Sequence, residues 1–312
     1  MNKKSFVSSM LLLLAALIWG FAFTAQSLCT DYIGPFTYGT VRFFIGGTVL
    51  LPMIPIYAKI EKKQADASDK NPSDRPKSLK KLFIGGILCG VFLCAASVLQ
   101  QAGIETTTPG KAGFITALYV VLVPVFGIFL RKKTPLIVWI SVCLAVPGLY
   151  LLCVSSGFSI AKGDLLILGS ALLFAFHILI IDHFSPLVNS VALSCIQFYT
   201  GAVFSGVLML IYEQPSINAI MQCLAPILYI GVFSTGVAYT LQVIMQKNTK
   251  PTVASLLLSF ESVFSVIGGW LILGQTLTAR ELCGCILMFA AVILSQLPPD
   301  IFRVFRKKRD KI

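Results

Sequence analysis

Glu261 stands near the middle of "LLLSFESVFSVIGGWLIL", residues 256–273, a run of apolar and small residues long enough to cross a bilayer. An acid at the centre of such a helix costs about 2.5–3.5 kcal/mol on insertion scales. Two roles justify that cost: a carboxylate that exchanges a proton or contacts a substrate, or a polar latch to a neighbouring helix. Arg42 lies well inside another apolar run, where it either binds an anionic substrate group or snorkels to the interface. Gln26, Gln100, Gln101 and Gln242 come late in their runs. Amides bind zwitterions and sugars without titrating, and they also make interhelical hydrogen bonds of ~1 kcal/mol. His177 is a second titratable group, or else a hydrogen-bonded packing histidine. Trp19 and Tyr119 are aromatics of the kind that line ligand cavities, with packing or interface anchoring as the competing role.

No residues have metal-binding or catalytic spacing. The nine cysteines lie in or beside apolar runs, form no Cys-x-x-Cys pair and read as small packing residues, without disulfide or zinc. A membrane enzyme acting on lipid needs clustered acids or histidines, and only Asp182 and His183 come near. They fall at a helix end, where interfacial water solvates them. No phosphate-binding Gly-Lys-Ser/Thr loop is present, so ATP does not drive the protein directly. Neither metal nor cofactor is expected.

The elements that must position these groups follow from composition. The chain is 56% hydrophobic and only 12% charged, with mean hydropathy +0.86. Such a chain is an integral membrane protein whose backbone is satisfied in helices or a closed barrel. Apolar runs of about twenty residues, without period-two alternation, select helices. The net charge of +12 comes from tracts between the runs and at the chain ends. It sets orientation and is no nucleic-acid groove. The basic, apolar N-terminus resembles a signal peptide, but its run reaches about Leu28, so it reads as a retained first helix.

Ten spans are predicted: 6–28, 36–58, 81–102, 110–130, 135–154, 162–181, 187–212, 223–246, 252–273 and 279–297. With both termini cytoplasmic, nearly all Lys and Arg fall inside. The loop "EKKQADASDKNPSDRPKSLKK" predicts a disordered linker over about 60–80, and residues 299–312 a basic cytoplasmic tail. Pro124 and Pro147 lie inside spans and predict kinks, with Pro124 a hinge candidate. On a helical wheel Leu256, Phe260, Val263, Phe264, Ile267 and Leu271 make an apolar face expected toward lipid, while Glu261 borders a stripe of serines facing protein.

The chain also repeats. "ALIWGFAF" (16–23) aligns with "ALLFAFHI" (171–178), and "VRFFIGG" (41–47) with "IQFYTGA" (196–202), both at an offset of 155. "LQQAGIETTTPGKAGF" (99–114) aligns with "LQVIMQKNTKPTVASL" (241–256) at 142, the drop matching the basic loop found only in the first half. The copies occupy 1–155 and 156–298. Five spans each is an odd number, so the second copy enters from the opposite side. Inverted repeats are a plan of secondary transporters, with substrate near the midplane. Tyr119 is then the counterpart of Glu261, and Gln197 of Arg42. A non-transporting scaffold is the third class considered.

The chain resembles the EamA-type permeases of the drug/metabolite transporter superfamily. The likeness is carried by Trp19–Gly20, "RFFIGG" at 42–47, "KAGFITALYVVLVP" at 111–124 and "LLLSFESVFSVIGGWLILGQTLT" at 256–278. It implies an all-α integral membrane fold of ten helices, a central cavity, peripheral helices 5 and 10, and carriage of small metabolites such as amino acids across the cell membrane. Many members have Lys late in helix 1, where Gln26 and Ser27 stand here, and Glu after the Leu-Gly of helix 9, where Gln275 stands. Roles tied to those charges do not carry over. The expected partners are a small-molecule substrate and the lipid bilayer, with a homodimer left open and no nucleic acid.

Overall fold

A computed structural model describes residues 3–66, 78–107, 109–132, 134–153, 161–273 and 278–297. The described residues are helical, without strands. The first half holds α1 (Lys3–Thr30), α2 (Pro35–Leu50), α3 (Met53–Asp66), α4 (Leu79–Ile104), α5 (Pro109–Ala117), α6 (Tyr119–Phe129) and α7 (Leu136–Cys153). The second holds α8 (Lys162–Phe184), a 3-10 turn (Ser185–Leu187), α9 (Ser190–Tyr212), α10 (Ile217–Gln222) and α11 (Leu224–Tyr229). A π-helical segment (Ile230–Tyr239), α12 (Thr240–Gln246), α13 (Pro251–Leu258), α14 (Glu261–Leu273) and α15 (Ala279–Ser295) complete it.

Among the described residues seven helical stretches are long and apolar enough to cross a membrane, or eight if the bent pair α2–α3 is one span. Helices α7 and α15, which pack on one another, are shorter. The polarity is that of a multi-pass membrane protein. On α9, Ser190, Ser194, Gln197 and Ser205 are buried, while Val203 is 64% and Leu210 75% exposed. Apolar side chains face outward and polar ones are turned within, as a lipid solvent requires.

Besides the eighth span, which contains the π-helical segment, three expected spans are less regular than predicted. The second bends by 48° at Leu51–Pro52, where proline has no N–H to continue the ladder. Helix α3 then continues to Asp66, so the start of the expected disordered loop is helical; residues 67–77 lie outside the described residues. The fourth is interrupted at Leu118, six residues before Pro124, where Leu118 N–H bonds to Ile115 O in a 3-10 turn. The ninth is interrupted at Ser259–Phe260, just before Glu261. There Ser255 and Ser259 donate their hydroxyls to the carbonyls of Thr252 and Leu256, a back-bonding that bends helices.

Helix α2 lies along α9, α4 along α8 and α9, and α1 along α14 and the π segment. Gly46 lets α2 meet the π segment closely: a Cβ there would come within 2.9 Å of Thr235 Cβ and 3.2 Å of the Gly231 carbonyl. Carboxylates tie α9 at both ends, to α2 at one and to α3 at the other. Glu213, just past α9, accepts from Phe36 N–H (2.8 Å), Thr37 N–H (2.7 Å) and the Thr37 hydroxyl (2.5 Å). A carboxylate there also suits the positive end of the α2 dipole. At the other end Glu61 of α3 accepts from Asn189, the N-cap of α9 (3.0 Å), and pairs with Lys247 (2.9 Å). Glu213→Ala is expected to cost about 2 kcal/mol, by the loss of charge-assisted bonds, and to lower the thermal midpoint in detergent; an unchanged midpoint would show the clamp to be passive.

Candidate functional site

The polar groups of the bundle converge on one internal cavity. It holds about 460 Å³ of space between atoms, of which about 30 Å³ admits the centre of a water molecule. It is narrow, with room for water but not for an organic solute.

Glu261 opens α14 at the interruption described above and is 5% exposed. Tyr119 opens α6 at the corresponding interruption, and its hydroxyl donates to Glu261 Oε1 at 3.0 Å. The two interruptions thus place the acid and its sequence counterpart face to face. The wheel expectation for this segment is overturned: Leu256, Phe260 and Val263 are buried in protein, and only Leu271 of that face is strongly exposed, at 61%. The segment runs through the middle of the bundle, so its apolar face meets other helices rather than lipid.

Arg42 is 2% exposed and does not snorkel. Its Nε donates to Thr235 Oγ1 (3.2 Å) and its Nη1 to the Tyr38 hydroxyl (2.9 Å). Its guanidinium carbon lies 4.8 Å from the Phe43 ring centroid and 5.8 Å from that of Tyr239. Its Nη2 has no hydrogen-bond partner, and among the described residues no carboxylate lies within ion-pair distance of it. A buried cation with one free donor pair, facing a cavity, has the chemistry to hold an anionic group.

Trp19 packs on Tyr239 at 4.5 Å between centroids, and its indole N–H donates to Ser234 O inside the π segment. Gln100 donates to Thr116 Oγ1 (3.0 Å). His177 Nε2 lies 3.1 Å from Gln197 Oε1. Gln26 and Gln242 each line the cavity with a buried amide oxygen that has no partner. Gln101 does not line it: fully buried, it turns away and donates to the Gln26 carbonyl at 3.3 Å. Pro124 is buried in α6 away from the cavity. Asp182 pairs with Lys132 at the end of the bundle rather than joining a catalytic cluster.

Tyr239 is the main cavity residue absent from the sequence expectations. It stands between Trp19 and Arg42 at the end of the π segment. An α-helical wheel misassigns its direction, because a π segment changes the register. Thr116, Phe174 and Leu258 were also absent, and the repeat offsets are the signal that finds them.

An all-helical membrane bundle whose polar side chains converge on an internal cavity has the architecture of a solute transporter. The EamA-like transporter family matches residues 7–154 and again 161–297, and the chain belongs to that family. It is 31% identical over 292 residues to an uncharacterized transporter of Archaeoglobus fulgidus, covering 92% of this chain and 84% of that one. It is 23% identical to the uncharacterized transporter YoaV of Bacillus subtilis, over 89% of this chain and 93% of the other. A solved crystal structure superposes with a TM-score of 0.72 over 93% of this chain and 96% of its own; at 17% identity the two share a fold. Family and relatives point to a membrane transporter rather than an enzyme.

Proposed function

We propose that the chain is a secondary transporter, a permease or exporter, moving a small organic metabolite across the cytoplasmic membrane by alternating access. In this reading residues 1–155 and 156–298 are inverted five-helix repeats, α7 and α15 complete ten spans, and both termini are cytoplasmic. The observation that carries it is the make-up of the cavity. Residues 100 and 242, 116 and 258, and 119 and 261 all line it, each pair 142 apart. So do 19 and 174, and 23 and 178, each pair 155 apart. These are the two offsets at which the sequence aligns with itself. Equivalent positions meeting around one cavity support a pseudo-two-fold axis through it, about which the two repeats exchange conformations.

The charged groups support a zwitterion, such as an amino acid or related compound. Arg42 offers a free Nη2 to a carboxylate, and Glu261 lines the same cavity without pairing to Arg42. Trp19 and Tyr239 supply an aromatic wall. With Tyr119 as its one donor, a buried Glu261 carboxylate keeps its charge at a cost that a substrate ammonium or a proton removes. Glu261 is therefore also the candidate for proton coupling.

The test is uptake into reconstituted vesicles, after a ligand is found by thermal shift; a ligand at 100 times its Kd raises stability by about 2.7 kcal/mol. Glu261→Gln is expected to abolish uptake driven by a pH gradient while leaving solute exchange measurable. Unchanged gradient-driven uptake removes Glu261 from coupling, and the absence of any stabilising small solute counts against the transport reading itself.

A further inference from the structure

A second cavity, a cleft with about 1010 Å³ of space between atoms against about 460 Å³ for the central one, opens at the end of the bundle where α12 meets α13. Lys132, Asp182, Gln246, Lys247, Lys250 and Thr252 are among its walls. It lies one helical turn or a little more from the central cavity along three separate helices. Ile178, Gln242 and Leu258 line the central cavity, whereas Asp182, Gln246 and Val253 line the cleft. Four residues of α-helix rise about 6 Å. The wall between the two spaces is therefore about one side-chain layer thick.

Gln246 spans that wall. It faces the cleft, yet its Nε2 donates at 2.6 Å to the carbonyl of Ile178, which faces the central cavity. It is 2% exposed, and its Oε1 has no partner. A buried amide with an orphaned acceptor is an unfavourable arrangement in any single conformation. It is accounted for if the side chain has another set of partners when the wall parts. The cleft also carries a charge preference. Lys132 pairs with Asp182 and Lys247 with Glu61, which among the described residues leaves Lys250 as the unneutralised charge.

We propose that this cleft is the vestibule through which an anionic or zwitterionic solute reaches the central cavity, and that Gln246 is the gate residue closing it in this conformation. The proposal rests on the transport reading of the central cavity. It differs from that reading in assigning the route and the moving part.

The experiment uses the full chain in vesicles, with its cysteines replaced and one reporter cysteine returned. Gln242→Cys reports the central cavity and Thr249→Cys the mouth of the cleft. A membrane-impermeant anionic methanethiosulfonate is applied to the side bearing the α12–α13 connection. Gln246→Ala is expected to speed labelling at position 242 by roughly five- to tenfold, the factor one buried hydrogen bond contributes to a two-state equilibrium, with position 249 unchanged. Gln246→Leu, which keeps the volume but not the donor, accelerates it to a smaller degree and serves if the alanine variant does not fold. Lys250→Glu slows the anionic reagent at position 249 and speeds a cationic one. If position 249 labels but position 242 is unaffected by either Gln246 variant, or responds only from the opposite side, the gate assignment is overturned while the transport reading stands. If position 242 labels from neither side in any variant, both fall.

Discussion

Replacing Arg42 with leucine is expected to give a protein that melts no earlier than the wild type, yet binds an anionic or zwitterionic solute about a hundredfold more weakly or worse. The two effects have one cause. Among the described residues Arg42 is buried without a carboxylate partner, so the desolvation of its charge is offset only by neutral hydrogen bonds and aromatic faces. Removing that charge, in favour of a side chain that packs against Phe43 and Tyr38, takes away a burden rather than a support. A solute carboxylate in the same buried cavity would instead lose its counter-charge, at about 3–5 kcal/mol. Lysine is not expected to rescue binding. The guanidinium holds Thr235 and Tyr38 while leaving Nη2 free, and a single ammonium cannot reproduce that planar fork. A neutral amide analogue of the solute should be nearly indifferent to the change. Thermal melts and uptake together decide the matter: a leucine variant that unfolds early marks Arg42 as structural.

Gly20 carries the second large effect. A Cβ at this position of α1 would overlap the Phe264 side chain and come within 2.8 Å of the Glu261 carbonyl oxygen. These obstacles include backbone, so α1 and α14 must separate. Gly20→Val is expected to cost about 1–3 kcal/mol, the usual penalty for overpacking. It should also depress transport beyond that cost, because the wedge acts on Glu261 itself. Gly113→Ala is the control. A Cβ there meets nothing nearer than 3.8 Å, although Gly113 lies on α5 against Ser262, one residue from the acid. That variant should keep both its midpoint and its uptake. Equal behaviour of the two variants would dispose of the close-approach account of Gly20, and with it of the reason for the Trp19–Gly20 motif.

Much of this site was legible in the chain because hydropathy marks depth and the repeats mark partners. Aligning the halves set Tyr119 over Glu261, and the two residues are hydrogen-bonded. The misses have physical causes. A wheel drawn for residues 256–271 presumes one face toward lipid, but the end of α13 is enclosed all round: Leu256, Leu257 and Leu258 are each at most 1% exposed. Whether Arg42 snorkels depends on what covers it, and its cover comes from Thr235 and Tyr239, about two hundred residues away in sequence. Gln100 and Gln101 look alike in sequence, yet adjacent helical positions point about 100° apart. The interruption at Ser259 arises from hydroxyls competing for carbonyls, which hydropathy does not register.

The carboxylate ties on α2 and α9 bear on how such a molecule can move. Glu213 fastens the end of α9 to the start of α2, and Glu61 of α3 fastens the start of α9 while also holding the end of α12. A rod held at both ends acts as a chassis: α9 tilts with the helices it is tied to. On the proposed transport reading, working displacement then falls to the parts outside that frame. There α6 and α13 are jointed at Leu118 and Ser259, beside the residues that would hold a cargo. The joints are placed at the load and the bracing away from it.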